Sequence, residues 1–324
     1  MNSLKEIKKP IEAHLKEFDK IFKASVKSNT SLLDIIMRYI LKSKGKQMRP
    51  IIVIYSAGLF DNINVSTYRG ASLVELLHTA TLVHDDVVDD SYERRGRFSI
   101  NAIWRNKIAV LAGDFLLSRG MLLAVESNDY KMLEVVSRAV KEMSEGELLQ
   151  IEKARKLDID EEIYYDIIKR KTASLLASCF AVGAVSANTD ATTVEKMYKI
   201  GELLGMAFQI KDDLLDFGEG SNIGKPTGID IKEKKMTLPL IYLLNKSNKH
   251  EKRKFINIVK NHSNDKERVD WLITQVKQSG GIDYAAKVMN RFKQEALDLL
   301  STFPENQSRQ MLEEIVEFTI ERKK

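Results

Sequence analysis

The sequence contains two aspartate clusters of the same form, DDVVD at Asp85–Asp89 and DDLLD at Asp212–Asp216. Each places carboxylates at positions i, i+1 and i+4 within an apolar stretch. On a helix, residues i and i+4 share one face, so the carboxylates repel each other unless a cation neutralises them. Hard oxygen ligands without Cys or His favour Mg²⁺, which usually lies between carboxylates and a substrate phosphate. A solvated acidic face is the alternative, and the second copy disfavours it.

A basic segment at Gly45–Pro50 (GKQMRP) joins two stretches with helical periodicity. Gly45 suits the end of one helix, and Pro50 suits the first position of the next because its missing N–H is not needed there. Lys46 and Arg49 would then lie at a helix N-terminus, where free amides and the helix dipole favour an anion. The segment predicts a phosphate site, with an ordinary basic loop as the alternative.

Further cations lie close to the clusters in sequence. Arg94 and Arg95 follow the first cluster, and guanidinium groups bind phosphate oxygens bidentately. A salt bridge to Asp89 or Asp90 is the alternative role for these arginines. Lys171 precedes Thr172 in an apolar run, where a buried lysine needs an anionic partner.

Four other polar residues lie near the clusters: His78, Gln209, Lys225 and Lys235. Lys225 and Lys235 flank a loop after the second cluster that we expect to close over a bound phosphate. Taken singly, each of the four would be an ordinary packed or surface residue.

Composition limits the class of protein. The 324 residues are 44% hydrophobic and 30% charged, with a net charge of +5, which suits a globular protein with a large core. A basic stripe with interleaved aromatics is missing from the sequence, so nucleic-acid binding is not expected. The longest uninterrupted apolar run is far shorter than the roughly 18 residues of a membrane span, so a cytoplasmic protein without a span is expected. Cys179 is the single cysteine and is predicted to be buried.

Apolar residues recur with the 3.6-residue period of helices. The predicted helical segments are 31–40, 71–89, 108–126, 131–151, 159–186, 191–217 and 238–244. Sustained alternation is missing, so a sheet is not expected. Because the intervening breaks are short, we predict one all-α domain over residues 1–324. Shorter, more polar helices are expected in the last eighty or so residues, with 246–266 as exposed surface.

The sequence resembles the trans-type isoprenyl diphosphate synthases between about residues 30 and 245. The resemblance rests on motifs that occur in the family's order: Gly45–Pro50, His84–Gly96, Gly113–Leu117, Glu145–Glu147, Phe208–Asp216 and Gly224–Asp230. One departure is Lys234, which stands where the family usually has glycine. The departure puts the path of the loop before Lys235 in question.

The resemblance implies roles for individual residues. Metal ligands would be Asp85, Asp89, Asp212 and Asp216, with Asp86 and Asp213 supporting them, for about three Mg²⁺ ions. The allylic diphosphate would contact Arg94, Lys171, Thr172, Gln209, Lys225 and Lys235. Isopentenyl diphosphate would contact Lys46, Arg49, His78 and Arg95. The implied fold is a helical bundle around a deep central cavity, in a homodimer that associates with membranes only peripherally.

The implied reaction needs metal ions and phosphate-binding cations rather than a nucleophile and base. Neutralising the allylic diphosphate lets its C–O bond ionise, and the double bond of isopentenyl diphosphate attacks the carbocation. Product length would be limited by the wall beneath the first cluster. Ala80 and Thr81 are small, and Leu77 lies further along, so a long-chain synthase of the octaprenyl or solanesyl type is expected.

Three alternatives remain at this point. A short-chain farnesyl or geranylgeranyl diphosphate synthase would use the same motifs. A terpene cyclase also uses an aspartate cluster but needs no second diphosphate, so Lys46, Arg49 and Arg95 argue against it. A regulatory subunit of a heteromeric synthase would lack one cluster, and both are intact here.

Overall fold

The computed structural model describes residues 4–42, 45–94, 96–218 and 227–321, and helices make up most of them. Strand pairing within these residues is limited to a hairpin in which β1 (Glu93–Arg94) runs antiparallel to β2 (Arg97–Phe98). The helices are α1 (Leu4–Lys8), α2 (Glu12–Ser25), α3 (Ser31–Lys42), α4 (Met48–Gly58), α5 (Val65–Val88), α6 (Ile100–Glu126), α7 (Tyr130–Lys156), α8 (Glu161–Ile168), α9 (Ser174–Ser186), α10 (Ala191–Asp216), α11 (Ile229–Lys232), α12 (Leu238–Lys246), α13 (Lys249–Asn261), α14 (Lys266–Ser279), α15 (Gly281–Ser301) and α16 (Gln307–Glu321), with a 3₁₀ turn at Lys9–Ile11 and a π-helical turn at Lys169–Ala173. The all-α prediction is confirmed.

The C-terminal part differs from its prediction. Helix α15 has 21 residues, so the last helices are not all short. Helix α13 begins in a segment predicted to be exposed, and it buries Phe255, Ile258 and Val259. Asn248 caps this helix, because its side chain accepts hydrogen bonds from the amides of His250 and Glu251. The Lys-rich and Asn-rich composition obscured the apolar spacing of α13.

The contacts divide the chain into two compact units. Unit 1 comprises Met1–Val140, Ser178–Tyr198 and Phe303–Glu314, and unit 2 comprises Lys141–Ala177, Lys199–Thr302 and Ile315–Lys324. A single domain over the whole chain stays a prediction. The first aspartate cluster belongs to unit 1 and the second to unit 2.

The core of unit 1 surrounds α4, in which every residue from Pro50 to Gly58 is buried. Gly183 of α9 contacts this helix so closely that an added Cβ would lie 2.4 Å from the Cβ of Ser56. Helix α5 starts at a capping box in which Asn64 and Thr67 exchange hydrogen bonds, and it packs along α6. These contacts fix the end of α5, where the first cluster lies.

Helix α6 is long and apolar enough to cross a membrane by length and composition alone. Its most apolar window has a mean hydropathy of 1.8, and 33% of that window is buried. Among the described residues it is the one helix that meets these criteria. The sequence predicted a helix at 108–126 but not a candidate span, because Asp114 and Arg119 divide its apolar residues into short runs. Such a helix is weak support for a membrane span.

Arg105 breaks the backbone of α6, with φ 70° and ψ 164°, a conformation restricted almost entirely to glycine. We expect Arg105→Gly to raise the free energy of unfolding by about 1 kcal/mol, because relief of strain exceeds the extra entropy of glycine in the unfolded chain. Urea unfolding measures this change. Arg105→Ala keeps the strain and should change stability little. A less stable glycine variant would contradict the assignment of strain.

Candidate active site

The first cluster lies at the C-terminal end of α5. This helix ends at Val88, and the amide of Asp89 donates to the carbonyl of Asp85 at 2.8 Å, so these two residues are one turn apart. Asp85 and Asp89 are exposed. A helix C-terminus carries partial negative charge, which adds to the repulsion between their carboxylates. The exposed pair therefore favours a cation.

Asp86 differs from its neighbours because only 3% of it is exposed. Burial raises the pKa of its carboxyl, and the ion pair with Arg94 opposes that shift. The Nε of Arg94 donates to Asp86 Oδ1 at 2.7 Å. The salt bridge expected as an alternative for Arg94 thus exists, but its partner is Asp86 rather than Asp89 or Asp90. Arg94 is half-buried beside the metal-binding candidates.

Asn101 at the start of α6 was missed by the sequence reasoning. Its side-chain amide donates to the carbonyl of Asp86 at 3.0 Å and to that of Ser91 at 3.1 Å. Ser99 caps α6 and also donates to the carbonyl of Ser91 at 2.7 Å. These bonds attach the hairpin that carries Arg94 to the end of α5. No pattern around Asn101 indicated this contact.

The motif at Gly113–Leu117 has a packing explanation. A Cβ added at Gly113 would lie 2.1 Å from Nε2 of His84, so only glycine leaves room for the imidazole. His84 Nε2 lies 3.2 Å from the carbonyl of Val110 and 3.5 Å from a carboxylate oxygen of Asp114. Because His84 directly precedes Asp85, this packing orients the first cluster.

Unit 1 contains a cavity of about 100 Å³, called cavity 1, next to the first cluster. Seven of its fifteen lining residues are polar, among them the carboxylates Glu75 and Asp86 and the cation Arg94, and the other eight are apolar or glycine. The lining residues are Phe22, Tyr39, Ile40, Leu41, Gly45, Gln47, Glu75, His78, Thr79, Leu82, Val83, Asp86, Arg94, Phe98 and Ile100. A wall that combines apolar side chains with the guanidinium of Arg94 suits a small diphosphate that carries a hydrocarbon.

The predicted isopentenyl-diphosphate residues lie partly around cavity 1. His78 lines it and is buried. Lys46 is exposed and Arg49 half-buried, on either side of the lining residue Gln47. Pro50 is the third residue of α4 and not the first, because Gln47, with φ 56°, is the N-cap. The proline is still tolerated there, since the first four amides of a helix lack intrahelical partners. Arg95 lies outside the described residues.

The three predicted chain-length residues lie on other faces of α5. Ala80 and Leu77 are buried, whereas Thr81 is half-buried and donates to the carbonyl of His78 at 2.9 Å. The lining of cavity 1 comes instead from Thr79, Leu82 and their neighbours on that face. The chain-length roles stay predictions.

In the second cluster, the middle aspartate is again the buried one. Only 5% of Asp213 is exposed. Tyr164 donates its hydroxyl to Asp213 Oδ2 at 2.7 Å, and Gln209 Nε2 donates to Oδ1 at 3.0 Å. Thr172 donates to Gln209 Oε1 at 2.8 Å, which completes a chain of hydrogen bonds. Burial and the charge of Asp230 raise the pKa of Asp213 to about 7, against the hydrogen bonds of Gln209 and Tyr164.

The π-helical turn Lys169–Ala173 carries Lys171 and Thr172 and is held between two glycines. A Cβ at Gly146 of α7 would lie 2.8 Å from the amide nitrogen of Lys171, and a Cβ at Gly205 of α10 would lie 2.4 Å from Ala173 Cα. Such turns are frequent at functional sites. The close approach accounts for the glycine in the Glu145–Glu147 motif.

The two glutamates of the Glu145–Glu147 motif form ion pairs with basic side chains of the π-helical turn. Glu147 forms an ion pair with Lys171, and Glu145 lies 3.6 Å from Arg170. Gln150 also accepts from the ammonium of Lys171 at 3.3 Å. The anionic partner expected for Lys171 is therefore Glu147.

Asp216 ends α10 and binds backbone of α11. Its Oδ1 accepts from the amide of Ile229 at 2.9 Å and its Oδ2 from the amide of Asp230 at 3.1 Å. Burial raises the pKa of Asp216, and these amides oppose the shift. The resemblance implied a metal ligand here, whereas the structure gives the carboxylate two amide partners.

Lys234 has φ 58°, the left-handed conformation that glycine adopts most easily. The amide of the next residue, Lys235, donates to the carbonyl of Asp230 at 2.8 Å. The backbone thus takes the path that a glycine would favour, despite the departure from the family pattern. The Lys235 ammonium lies 2.5 Å from Glu233 and 3.7 Å from Asp230.

Unit 2 contains a cavity of about 200 Å³, called cavity 2, beside the second cluster. Its polar lining brings together four predicted allylic-diphosphate residues with two aspartates: Lys171, Thr172, Gln209, Lys235, Asp213 and Asp230. Arg94 belongs to unit 1, and Lys225 lies outside the described residues. The cavity therefore collects cations and hydrogen-bond donors suited to an anion.

The carboxylates fit Mg²⁺ by donor type and exposure. Within the described ranges, no group of three or more His, Cys, Asp or Glu side chains forms a metal-holding cluster. Mg²⁺ usually keeps several waters and takes one or two carboxylates together with substrate phosphates. Asp85 and Asp89 offer such a pair. Cys179, in contrast, is buried, and burial raises the pKa of its thiol to about 12, so it is no nucleophile.

Comparisons with known proteins show the family of the chain. Residues 30–276 match the polyprenyl synthetase family. The chain is 34% identical over 321 residues to the all-trans-nonaprenyl-diphosphate synthase (geranyl-diphosphate specific) of Rhodobacter capsulatus, covering 98% of this chain and 97% of that protein.

Two solved structures are similar throughout. A polyprenyl synthase from Caulobacter crescentus, complexed with calcium and isoprenyl diphosphate, has a TM-score of 0.88 and 33% identity, covering 99% of this chain and 98% of the other. A geranylgeranyl pyrophosphate synthase from Bacteroides thetaiotaomicron has a TM-score of 0.82 and 36% identity, covering 98% of both chains.

An all-α fold with two aspartate clusters and two cation-lined cavities defines a class of enzymes that act on diphosphates. The chain belongs to the polyprenyl synthetase family. The predicted prenyltransferase activity and the family resemblance are confirmed by that membership.

Proposed function

We propose that the protein condenses isopentenyl diphosphate with an allylic diphosphate to make a long all-trans polyprenyl diphosphate, for quinone side chains. The observation that carries this proposal is the form of the two clusters. Each has a buried, hydrogen-bonded middle aspartate, and each adjoins a cavity with cationic groups in its wall. The clusters offer carboxylates for metal ions and the cavities offer cationic groups for phosphate oxygens, as a reaction of diphosphates requires.

The residues have distinct tasks in this reaction. Asp85 and Asp89 in unit 1 and Asp212 in unit 2 would hold Mg²⁺, which would supply positive charge to neutralise the departing diphosphate. Arg94, Lys171 and Lys235 donate hydrogen bonds to the oxygens of the departing diphosphate. These bonds compensate the negative charge that develops on the diphosphate as the allylic C–O bond breaks. Lys46, Arg49, His78 and Arg95 hold isopentenyl diphosphate. Its double bond forms the new C–C bond, and the proton lost goes to the released diphosphate.

One assay tests the proposal and its alternatives. Purified protein is incubated with Mg²⁺, farnesyl diphosphate and labelled isopentenyl diphosphate, and the products are separated by length. We expect products of roughly C30 or longer, since small residues precede the first cluster by about one turn. Products that stop at roughly C20 would support a short-chain synthase. A folded protein without turnover would support a regulatory subunit instead.

The assignment of the basic segment can be tested separately. We expect Lys46→Ala or Arg49→Ala to raise KM for isopentenyl diphosphate at least about tenfold, because a charge-assisted hydrogen bond contributes about 1.5–3 kcal/mol. KM for the allylic substrate should change far less. Lys42→Ala, which removes an exposed lysine from α3, is the control. Equal changes in both KM values would show that the segment does not distinguish the substrates.

We also propose a homodimer formed through α6. Its exposed apolar residues recur at helical spacing along one face: Ile103, Val110, Leu111, Met121, Leu122 and Val125. Contiguous exposed apolar patches of this kind mark interaction sites.

We infer a cytoplasmic location and peripheral membrane contact during product release.

Light scattering tests the dimer. The wild type should have the molar mass of a dimer and the Leu111→Glu and Leu122→Glu variants that of a monomer. A charged side chain buried without a partner in the interface would oppose association. Val65→Glu, at another exposed apolar position, should remain dimeric. A wild-type monomer, or dimeric Leu111→Glu and Leu122→Glu variants, would exclude this interface.

A further inference from the structure

The two aspartate clusters share one sequence pattern, but their last residues have different surroundings. Asp89 is an exposed residue just past the end of α5. Asp216 is half-buried, and its two carboxylate oxygens accept from the amides of Ile229 and Asp230. The amide of Gly228 also donates to the carbonyl of Asp216 at 3.1 Å. Three hydrogen bonds thus attach the start of α11 to the end of α10.

The segment attached in this way forms part of the wall of cavity 2. Asp230 and Lys235 line that cavity together with Lys171, Gln209 and Asp213. The amide of Lys235 donates to the carbonyl of Asp230, so the position of Lys235 depends on the turn that Asp216 holds. A carboxylate that accepts two backbone amides has fewer lone pairs available to a metal ion.

We propose that Asp216 is a positioning residue, which fixes α11 and thereby places Asp230 and Lys235 in cavity 2 before any metal ion or diphosphate binds. Its contribution to the proposed condensation, on which this role rests, runs through Lys235 and not through direct metal binding. Asp212 then carries the metal-binding role of the second cluster.

Amide hydrogen exchange in the metal-free protein tests the positioning role without any reaction. In Asp216→Ala, the amides of Ile229 and Asp230 should exchange at least about tenfold faster, since each loses a hydrogen bond worth roughly 1.5 kcal/mol. Asp216→Asn keeps one acceptor oxygen and should show a smaller effect. Asp212→Asn, the matched control, should leave both amides unchanged.

Exchange in α12 provides the internal reference for folding. A local positioning role predicts that Leu240 and Leu244 exchange at wild-type rates in Asp216→Ala, because α12 packs against α14 and α15. Unchanged exchange at Ile229 and Asp230, or faster exchange spread equally over α12 in Asp216→Asn, would overturn the proposal.

Steady-state kinetics separate positioning from metal binding. Asp216→Asn should raise KM for the allylic substrate and lower kcat, while the Mg²⁺ concentration for half-maximal activity stays within about twofold of wild type. Asp212→Asn should raise that concentration at least about tenfold. An equal increase in Asp216→Asn would overturn the proposal. A wild-type protein without turnover would refute the proposed function, while the exchange result would still stand.

Discussion

Replacing Asp85 or Asp212 by alanine is expected to lower turnover by several orders of magnitude and to leave the fold intact. Both side chains reach solvent, and neither is the buried aspartate of its cluster. Without the carboxylate that would bind Mg²⁺, the leaving diphosphate loses electrostatic stabilisation in the transition state. Such stabilisation is usually the largest contribution to the rate enhancement of an enzyme. Single-turnover kinetics at saturating Mg²⁺ would measure the loss.

Stability should move in the opposite direction from activity. Removing the Asp85 carboxylate takes a negative charge from the C-terminal end of α5, where the helix dipole disfavours it by about 0.3–1 kcal/mol. Thermal unfolding should therefore show an unchanged or higher Tm. At Asp212, alanine removes a charge that contributes to raising the pKa of Asp213.

Asp90→Asn is the matched control for Asp85→Ala. It removes one negative charge from the same helix end, and asparagine tolerates the left-handed backbone at that position, where φ is 48°. Turnover of this variant should stay within a few fold of wild type. Near-wild-type turnover in folded Asp85→Ala or Asp212→Ala would refute the metal-binding assignment.

Many of the helices and the positions of the two aspartate clusters on them could be predicted because their signals are local. Periodicity predicted α3, α5 to α10 and α12, and the i, i+1, i+4 spacing placed Asp85 and Asp89 one turn apart. The spacing did not show that Asp86 and Asp213 are buried. The partner of Asp213 is Tyr164, which lies 49 residues earlier, and no local pattern joins the two.

The π-helical turn and the positions with positive φ could not be predicted from the sequence, for different reasons. The role of Gly146 depends on the π-helical turn, which departs from the regular period that sequence patterns detect. Gln47, Arg105 and Lys234 adopt positive φ although their side chains give no turn signal. The two hydrogen bonds accepted by Asp216 join residues on either side of a loop whose path the sequence leaves open.

Product length should respond strongly to an aromatic side chain beneath the first cluster. If Ala80 and Thr81 face the growing chain, Ala80→Phe or Thr81→Phe should shorten products to roughly C15–C20, because one helical turn of about 5.4 Å accommodates little more than one isoprene unit. Thr81→Phe is the cleaner variant. Thr81 is half-buried, whereas Ala80 is buried, where a phenyl ring would overpack the core.

Thr79→Phe distinguishes two possible paths for the chain. Thr79 is half-buried and donates to a backbone carbonyl, as Thr81 does, but it lies about 200° further round α5 and lines cavity 1. Products are separated by length for each variant, with thermal unfolding as the check on folding. Shortening by Thr81→Phe alone supports the predicted chain-length residues. Shortening by Thr79→Phe alone would mean that the prenyl chain grows along cavity 1, and that Ala80 and Thr81 pack only against protein.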